Sequence, residues 1–536
     1  MPRRSWWGWG LESDEPTDEQ RVTMAARMSA RWGVTLEPAP RPEIGRIALR
    51  APRLTAPAAL AGIVSADAHE RAGHTYGKSY RDAVRAVRGD FPDPVDLVAF
   101  PRSEAEVVRV LEWVDGAGAV AIPYGGGSSV VGGVEPPARG DRPVVSIDLG
   151  GLRQVLEVDV TSRAARVQAG VLGPDLEAQL RPHGLTLRHF PQSFEWSSLG
   201  GWIVTRSGGH YATNHTHIDD FVESVRMVTP GGIWESRRLP GSGAGPSPDR
   251  LVLGSEGILG IVTEAWMRVQ ARPVFRASAG VLYGSWAAAC EGARRVVQAK
   301  LWPANCRVLD PVEAGNAAGL DGTKAILILG FESAEVPQGP FIAEAVRLAE
   351  EAGGTVDENG VLVVDGTARA ETEAGRQGAV GEWRNSFIRA PYQRNLTAGL
   401  GLLGDTFETA ITWDRWPEFD RRVREAVQAA LLRVCGAGTL SCRFTHVYPD
   451  GPAPYYTFSA LGRRGGELEM WAEIKQAASD AVMAAGGTIT HHHAVGRDHR
   501  PWYDIQRPDP FAAALRAAKT AVDPNWTLNP GVLIDP

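Results

Sequence analysis

At 536 residues the chain is too long for one ordinary core and predicts two or three domains. Its 43% apolar and 22% charged residues and net charge of -7 describe a globular protein without the positive field that nucleic acid requires, so nucleic acid is excluded as the main partner. No run of eighteen apolar residues occurs, which argues against a spanning helix, and the four cysteines (Cys290, Cys306, Cys435, Cys442) lack C-x-x-C spacing and fit free thiols in a reducing cytoplasm.

In chain order, Met1–Gly10 carries Arg3-Arg4 and three tryptophans but no apolar core of an export signal. Those indoles either pack on the body or sit at a membrane interface, which would make the protein peripheral on a membrane. Residues 1–91 read as helices and loops: Thr17-Asp18-Glu19-Gln20 is a capping box that opens a helix towards Gly33. From 92 to 272 short strands alternate with helices. A second capping box, Ser103-Glu104-Ala105-Glu106, starts a helix with Val107, Val110, Leu111 and Val114 on one face, stopped at Gly116. Strands are expected at Val120–Ile122, Val144–Leu149, Val155–Val158, Ala165–Ala169, Val222–Val228 and Ile261–Val269, with a helix between Gly173 and Gly184.

Residues 273–509 change texture. Strands at Ala325–Phe331, Thr406–Thr412, Ser441–Tyr448 and Tyr455–Ala460 lie between amphipathic helices Phe419–Val434 and Glu467–Ala485, the pattern of an α+β cap domain with helices on one face of a sheet. Residues 510–536 hold a helix and the turn Asn529-Pro530-Gly531 and form a last segment.

The most informative stretch is Pro123-Tyr124-Gly125-Gly126-Gly127-Ser128-Ser129, directly after a strand. Consecutive glycines let backbone N–H groups turn inward onto an anion, and the serines add hydroxyl donors. It is neither G-x-G-x-x-G nor a P-loop, which sets aside the Rossmann and P-loop readings. Two further small-residue loops accompany it: Ser197-Ser198-Leu199-Gly200-Gly201-Trp202 followed by Thr205-Arg206-Ser207-Gly208-Gly209, and Gly254-Ser255-Glu256-Gly257-Ile258-Leu259-Gly260-Ile261-Val262. Backbone can approach a large cofactor closely at such places.

These three loops together resemble the FAD-binding domain of the vanillyl-alcohol oxidase/PCMH superfamily. Within it the chain is most similar to the alkyldihydroxyacetonephosphate synthase family, nearly end to end: Trp7-Gly8-Trp9-Gly10, Thr75-Tyr76-Gly77-Lys78-Ser79, Phe407-Glu408-Thr409 with Trp413-Asp414-Arg415, and His491-His492-His493-Ala494-Val495-Gly496 all match. The resemblance implies an α+β fold, a PCMH-type FAD-binding domain plus a cap of antiparallel sheet with helices, and a last segment returning to the FAD domain. It implies FAD bound by Pro123, Tyr124, Gly125, Gly126, Gly127, Ser128, Ser129, Gln192, Ser193, Ser197, Ser198, Gly201, Thr205, Arg206, Ser207, Gly208 and Glu256 through Val262. No His or Cys lies in Pro123–Gly133, which favours non-covalent FAD there.

The residues that could carry chemistry are read both ways. Three adjacent histidines, His491, His492 and His493, could ligate a metal, but on a strand they alternate between faces and only two converge, so no metal is expected. By resemblance they are the family's active-site histidines, and imidazole suits proton transfer near neutral pH. Tyr455 matches the family's acid/base tyrosine. On a strand it faces away from Tyr456, so only one of them enters the site. By the same resemblance Arg307 and His189 belong to the active site and Arg394 to the substrate, with Arg443 a weaker candidate of the same kind. A guanidinium pairs with two phosphate oxygens at once.

The implied reaction exchanges the acyl group of acyl-dihydroxyacetone phosphate (acyl-DHAP) for a fatty alcohol through a flavin N5 adduct, with no net redox, giving an ether-lipid precursor. The alternative is an FAD-dependent oxidase or dehydrogenase of a 2-hydroxy acid or alcohol. Two departures bear on substrate: the family's Pro-Asp-Ser is here Pro191-Gln192-Ser193, and the stretch 209–217 is rich in imidazole rather than lysine. A homodimer is expected, and separately a cytoplasmic location, since the chain ends Ile534-Asp535-Pro536 rather than in a peroxisomal Ser-Lys-Leu.

Overall fold

The computed structural model describes residues 3–211, 213, 215, 217–364, 366 and 378–536. Ala212, Asn214 and Thr216 of the imidazole-rich stretch lie outside the described residues.

Two larger sheets, with a small pair of strands Leu185–Thr186 and Gln270–Ala271, build the first half. One has four strands in the order Val64–Ser65, Leu97–Ala99, Val144–Asp148, Val120–Tyr124, the last three parallel. The other has five antiparallel strands in the order Val155–Asp159, Ala164–Gln168, Ile261–Arg268, Val222–Thr229, Gly232–Glu235. The helix Glu104–Gly116 covers the parallel sheet with Val107, Val110, Leu111 and Val114, all buried. Ser103 caps it, but the reciprocal half of the capping box is absent: Glu106 accepts from the N–H of Arg102, one residue further back. The helix Asp18–Trp32 has the full box at Thr17 and Gln20 and ends on left-handed Gly33.

A seven-stranded antiparallel sheet forms the second half, in the order Thr355–Val364, Phe275–Tyr283, Ala325–Ser333, Asn305–Leu309, Thr439–Val447, Pro452–Leu461, Leu402–Glu408. Helices Trp286–Gln298, Gly339–Glu351, Trp416–Cys435 and Glu467–Ala484 bury one face, where Phe407, Cys442, Phe444, Tyr456 and Phe458 are 5% exposed or less. Each such large side chain contributes about 1.5–3 kcal/mol. The opposite face, set by the two-residue alternation of the strands, turns towards the glycine-rich loops.

One strand differs from expectation. It runs Leu402–Glu408 rather than Thr406–Thr412, because Gly401 turns the chain and lets Leu402 pair with Leu461. The final segment reaches back to the parallel sheet, where Leu528 bridges Ala121 and the Lys519 ammonium binds the carbonyls of Ile258 and Leu528 and the Asp523 carboxylate. Trp6, Trp7 and Trp9 are all buried. Trp9 exchanges two backbone hydrogen bonds with the Asn395 side chain at 2.8 and 2.9 Å. These indoles pack on the body, the first of their two expected placements. Among the described residues no helix is long and apolar enough to cross a membrane.

Candidate active site

A cavity of about 560 Å³ lies between the glycine-rich loops and the inner face of the seven-stranded sheet. Its first wall is the run Pro123–Ser129, pressed onto the segment 196–198. A Cβ at Gly125 would stand 2.1 Å from Ser198 Oγ, one at Gly126 1.7 Å from the Trp196 carbonyl oxygen, and one at Gly127 1.9 Å from the Tyr124 hydroxyl. Only glycine permits this approach, which leaves the loop's inner side open to the cavity. Gln192, Ser193, Ser197, Ser198, Gly201, Thr205, Ser207, Gly208, Glu256, Gly257, Gly260 and Val262 continue the same wall. It is a long groove of backbone and small hydroxyl side chains, which fits the diphosphate and ribose of a dinucleotide such as FAD.

The second wall comes from the sheet. Directly paired residues of antiparallel strands share a face, and Tyr455 is paired with Arg443 on one side and with Glu408 on the other. Tyr456, one residue on, points into the helix-covered core, where its hydroxyl donates to Asp420 at 2.8 Å. The Tyr455 hydroxyl donates to Thr406 Oγ1 at 3.1 Å, and the Arg443 guanidinium lies 4.2 Å from the Tyr455 ring centre. Burial raises the Tyr455 phenol above its ordinary value, against the opposing pull of Arg443, so it is protonated at neutral pH.

The three histidines lie on a bend, not a strand, so the expected alternation of faces does not apply. The bend is held by the buried Glu408 carboxylate, which accepts the N–H groups of His491 at 2.8 Å, His492 at 3.2 Å and His493 at 3.0 Å, together with the Thr490 hydroxyl. Burial opposes ionisation of Glu408, but attraction to His492 and its hydrogen bond prevail and hold the carboxyl well below the ordinary range. Glu256 grips the other end of the bend, accepting from Val495 and Gly496, both at 2.8 Å. Here burial wins over the two donors and pushes the carboxyl up to about 7. Arg497 and Asp498 donate to the carbonyl of Val131, just beyond the glycine loop, at 2.9 and 3.1 Å. Cofactor wall and histidine bend are therefore tied together by hydrogen bonds.

His492 and His493 face the cavity; His491 does not line it and turns towards His217 and Tyr448. Burial pushes His493 down to about 3, leaving it a neutral base at pH 7. The cavity's cations differ in what they are bound to. Arg443 is paired with Glu313 at 2.7 Å, while Arg394 donates to the Lys78 carbonyl at 2.7 Å and to Asp405 at 3.3 Å. Arg307 stacks 4.7 Å from Trp383 and donates to Asn305 and to the His210 carbonyl, but one of its buried terminal nitrogens has no partner. Burial, with Arg443 nearby, pushes its guanidinium down to about 9, the mark of a cation short of counter-charge.

Some expected residues stand behind the wall rather than in it. His189, 1% exposed, contacts Ser207 Oγ at 2.8 Å and packs on Trp202, so it props the loop. Arg206 turns outward to Asp219, and Ile258, Leu259 and Ile261 are core side chains. Gln192, at the departure from the family, lines the cavity and donates to the Phe387 carbonyl at 3.1 Å. Glu408, Lys78, His446, Lys475, Trp7 and Trp9 had no expected place in the site, although all but Glu408 line the cavity. Glu408, Lys78 and the tryptophans sit inside the matching motifs, which was the available signal; His446 and Lys475 have no local signature.

The FAD binding domain family matches residues 95–236, and the family of FAD linked oxidases, C-terminal domain, matches residues 272–533. Fold and site thus define an FAD-dependent flavoenzyme with a PCMH-type binding domain and an antiparallel cap. Alkyldihydroxyacetonephosphate synthase of Dictyostelium discoideum is 32% identical over 477 residues, covering 87% of this chain and 77% of the relative. Its namesake in Trypanosoma brucei brucei is 28% identical over 489 residues, covering 87% and 78%. A solved structure of alkyldihydroxyacetonephosphate synthase superimposes with a TM-score of 0.78 at 26% identity, covering 98% of each chain. The chain belongs to the alkyldihydroxyacetonephosphate synthase family, and these likenesses favour that family over the oxidase alternative.

Proposed function

We propose that this enzyme is an alkyldihydroxyacetonephosphate synthase, replacing the acyl group of acyl-DHAP by a fatty alcohol without net redox, with FAD held non-covalently. The observation that carries the reading is the meeting, in one cavity, of a glycine-lined groove with a neutral imidazole, a protonated phenol and three arginines.

When bound along Pro123–Ser129 and Gly257–Val262, FAD supplies an electron-accepting ring for the carbon in transit. The chain's own residues do the rest. Arg394, with Arg307 and its unpartnered nitrogen, anchors the phosphate. His493 or His492 accepts the proton leaving the carbon that bears the ester, and the Tyr455 phenol protonates the departing carboxylate. The bond from that carbon to the ester oxygen breaks and the fatty acid leaves with its oxygen. The alcohol oxygen then bonds to the same carbon and gives its proton to Tyr455, while the imidazole returns the first proton to carbon. Protons and electrons balance, and the groups end as they began.

Four free cysteines fit a reducing compartment, and the proposal extends to a cytoplasmic homodimer, which fractionation and light scattering can read. The deciding test of activity is incubation of purified protein with palmitoyl-DHAP and hexadecanol. Equimolar palmitate and alkyl product are expected; absence of both overturns the reading.

A further inference from the structure

His491, which does not line the cavity, belongs to a second arrangement. Its Nδ1 lies 3.0 Å from Nδ1 of His492 and its Nε2 lies 2.9 Å from the Tyr448 hydroxyl. His446, on the strand Thr439–Val447, faces both rings at 4.9 and 5.0 Å. One nitrogen from each of the three lies within 4.8 Å of the others. Two imidazole nitrogens 3.0 Å apart repel if both present lone pairs and clash if both carry hydrogens. The contact is favourable when one neutral ring donates its N–H to the other's lone pair, or when a metal ion takes a lone pair from each.

The surroundings favour a metal. Glu408 Oε2 stands 3.2 Å from His492 Nδ1, and its other contacts fix the backbone of the bend, so a buried negative charge holds the triplet in place. His217 lies 4.5 Å from His491, ring to ring, and its Nε2 is buried without a hydrogen-bond partner. The strand premise that excluded a metal no longer holds, because the histidines lie on a bend and the third ligand comes from a different strand.

We propose that His446, His491 and His492 form a site for one divalent transition-metal ion of the zinc class, beside His217. The ion takes one lone pair from each neutral imidazole, each ring keeping its hydrogen on the other nitrogen, so no proton is lost. It stands without the synthase reading. Joined to that reading, it makes the ion an inhibitor, because His492 is withdrawn from proton transfer.

The test uses tag-free holoenzyme, stripped with chelator, loaded with zinc chloride and desalted. One zinc retained per chain is expected, with X-ray absorption at the zinc edge showing three nitrogen ligands at about 2.0–2.1 Å. His446→Gln and His491→Gln should each weaken retention at least tenfold while FAD content and melting temperature stay unchanged. No stoichiometric retention, retention unaltered in both variants, or an all-oxygen shell would each overturn the site. The absorption measurement on the unaltered protein decides the matter if the variants do not fold. Activity is not needed for any of these readings, so failure of the site and failure of the synthase assignment are separable.

Discussion

Replacing Glu408 by Gln tests how the proton-transfer bend is held. The native carboxylate divides its acceptors: Oε1 serves Thr490 and the N–H groups of His492 and His493, while Oε2 serves the N–H of His491 and His492 Nδ1. Glutamine keeps one oxygen and turns an NH2 group towards the His491 N–H, donor against donor. Losing one hydrogen bond to a buried charge costs about 1.5–3 kcal/mol, and the stranded donor adds about 1–3 kcal/mol. Glu408 is only 2% exposed, so no solvent screening reduces this. A loss of about 3 kcal/mol lowers the ratio of ordered to disordered bend by about two orders of magnitude. Activity should fall about a hundredfold, and amide exchange at 490–496 should accelerate while the core strands keep their protection. The acid limb gives a second reading. A carboxyl whose folded pKa lies below its unfolded value stabilises fully above the unfolded value and loses this only as pH falls through the folded one. Native protection of the bend should therefore survive below pH 4.5, whereas E408Q should show no titration there. Native activity and exchange in E408Q would refute the reasoning.

Four further outcomes are expected. Tyr455→Phe should abolish product formation while leaving FAD content and melting nearly unchanged, since only the hydroxyl contact to Thr406 is lost. Gly126→Ala should lower FAD content more than tenfold in the purified protein, because its Cβ meets the Trp196 carbonyl at 1.7 Å. Glu256 is raised to about 7 in the fold, so it stabilises fully below about pH 4.5 and that contribution is lost as pH rises through 7. The change is about 3 kcal/mol, and Glu256→Gln should flatten the denaturation midpoint across that window. Acid precipitation should release the flavin into the supernatant, with no yellow colour left on the protein.

What the sequence made legible was local. Three glycines after a strand identify the cofactor wall because the constraint, backbone approach without Cβ, acts within seven residues. The opposed faces of Tyr455 and Tyr456 follow from strand alternation, as do the buried positions of the helix after Ser103. The parts that escaped depend on distant chain. Glu408 takes its meaning from N–H groups more than eighty residues later, and His446 from a bend on another element. The histidine triplet was misjudged because three histidines in a row suggest a strand, whereas a buried carboxylate bends them. The tryptophans of the N-terminus fit either the body or an interface by sequence; their burial depends on distant chain, Trp9 on Asn395, 386 residues away, and Trp6 and Trp7 on Tyr76, Ala86 and Phe91.

The central claim is an exchange at a flavin site with no net electron transfer. Anaerobic incubation of the holoenzyme with excess palmitoyl-DHAP and hexadecanol, with the flavin absorbance and products followed together, tests it most directly. Many turnovers per flavin, giving equal palmitate and ether product with an oxidised flavin at the end, are predicted. Bleaching of the flavin after a single turnover, restored only by dioxygen, would contradict it.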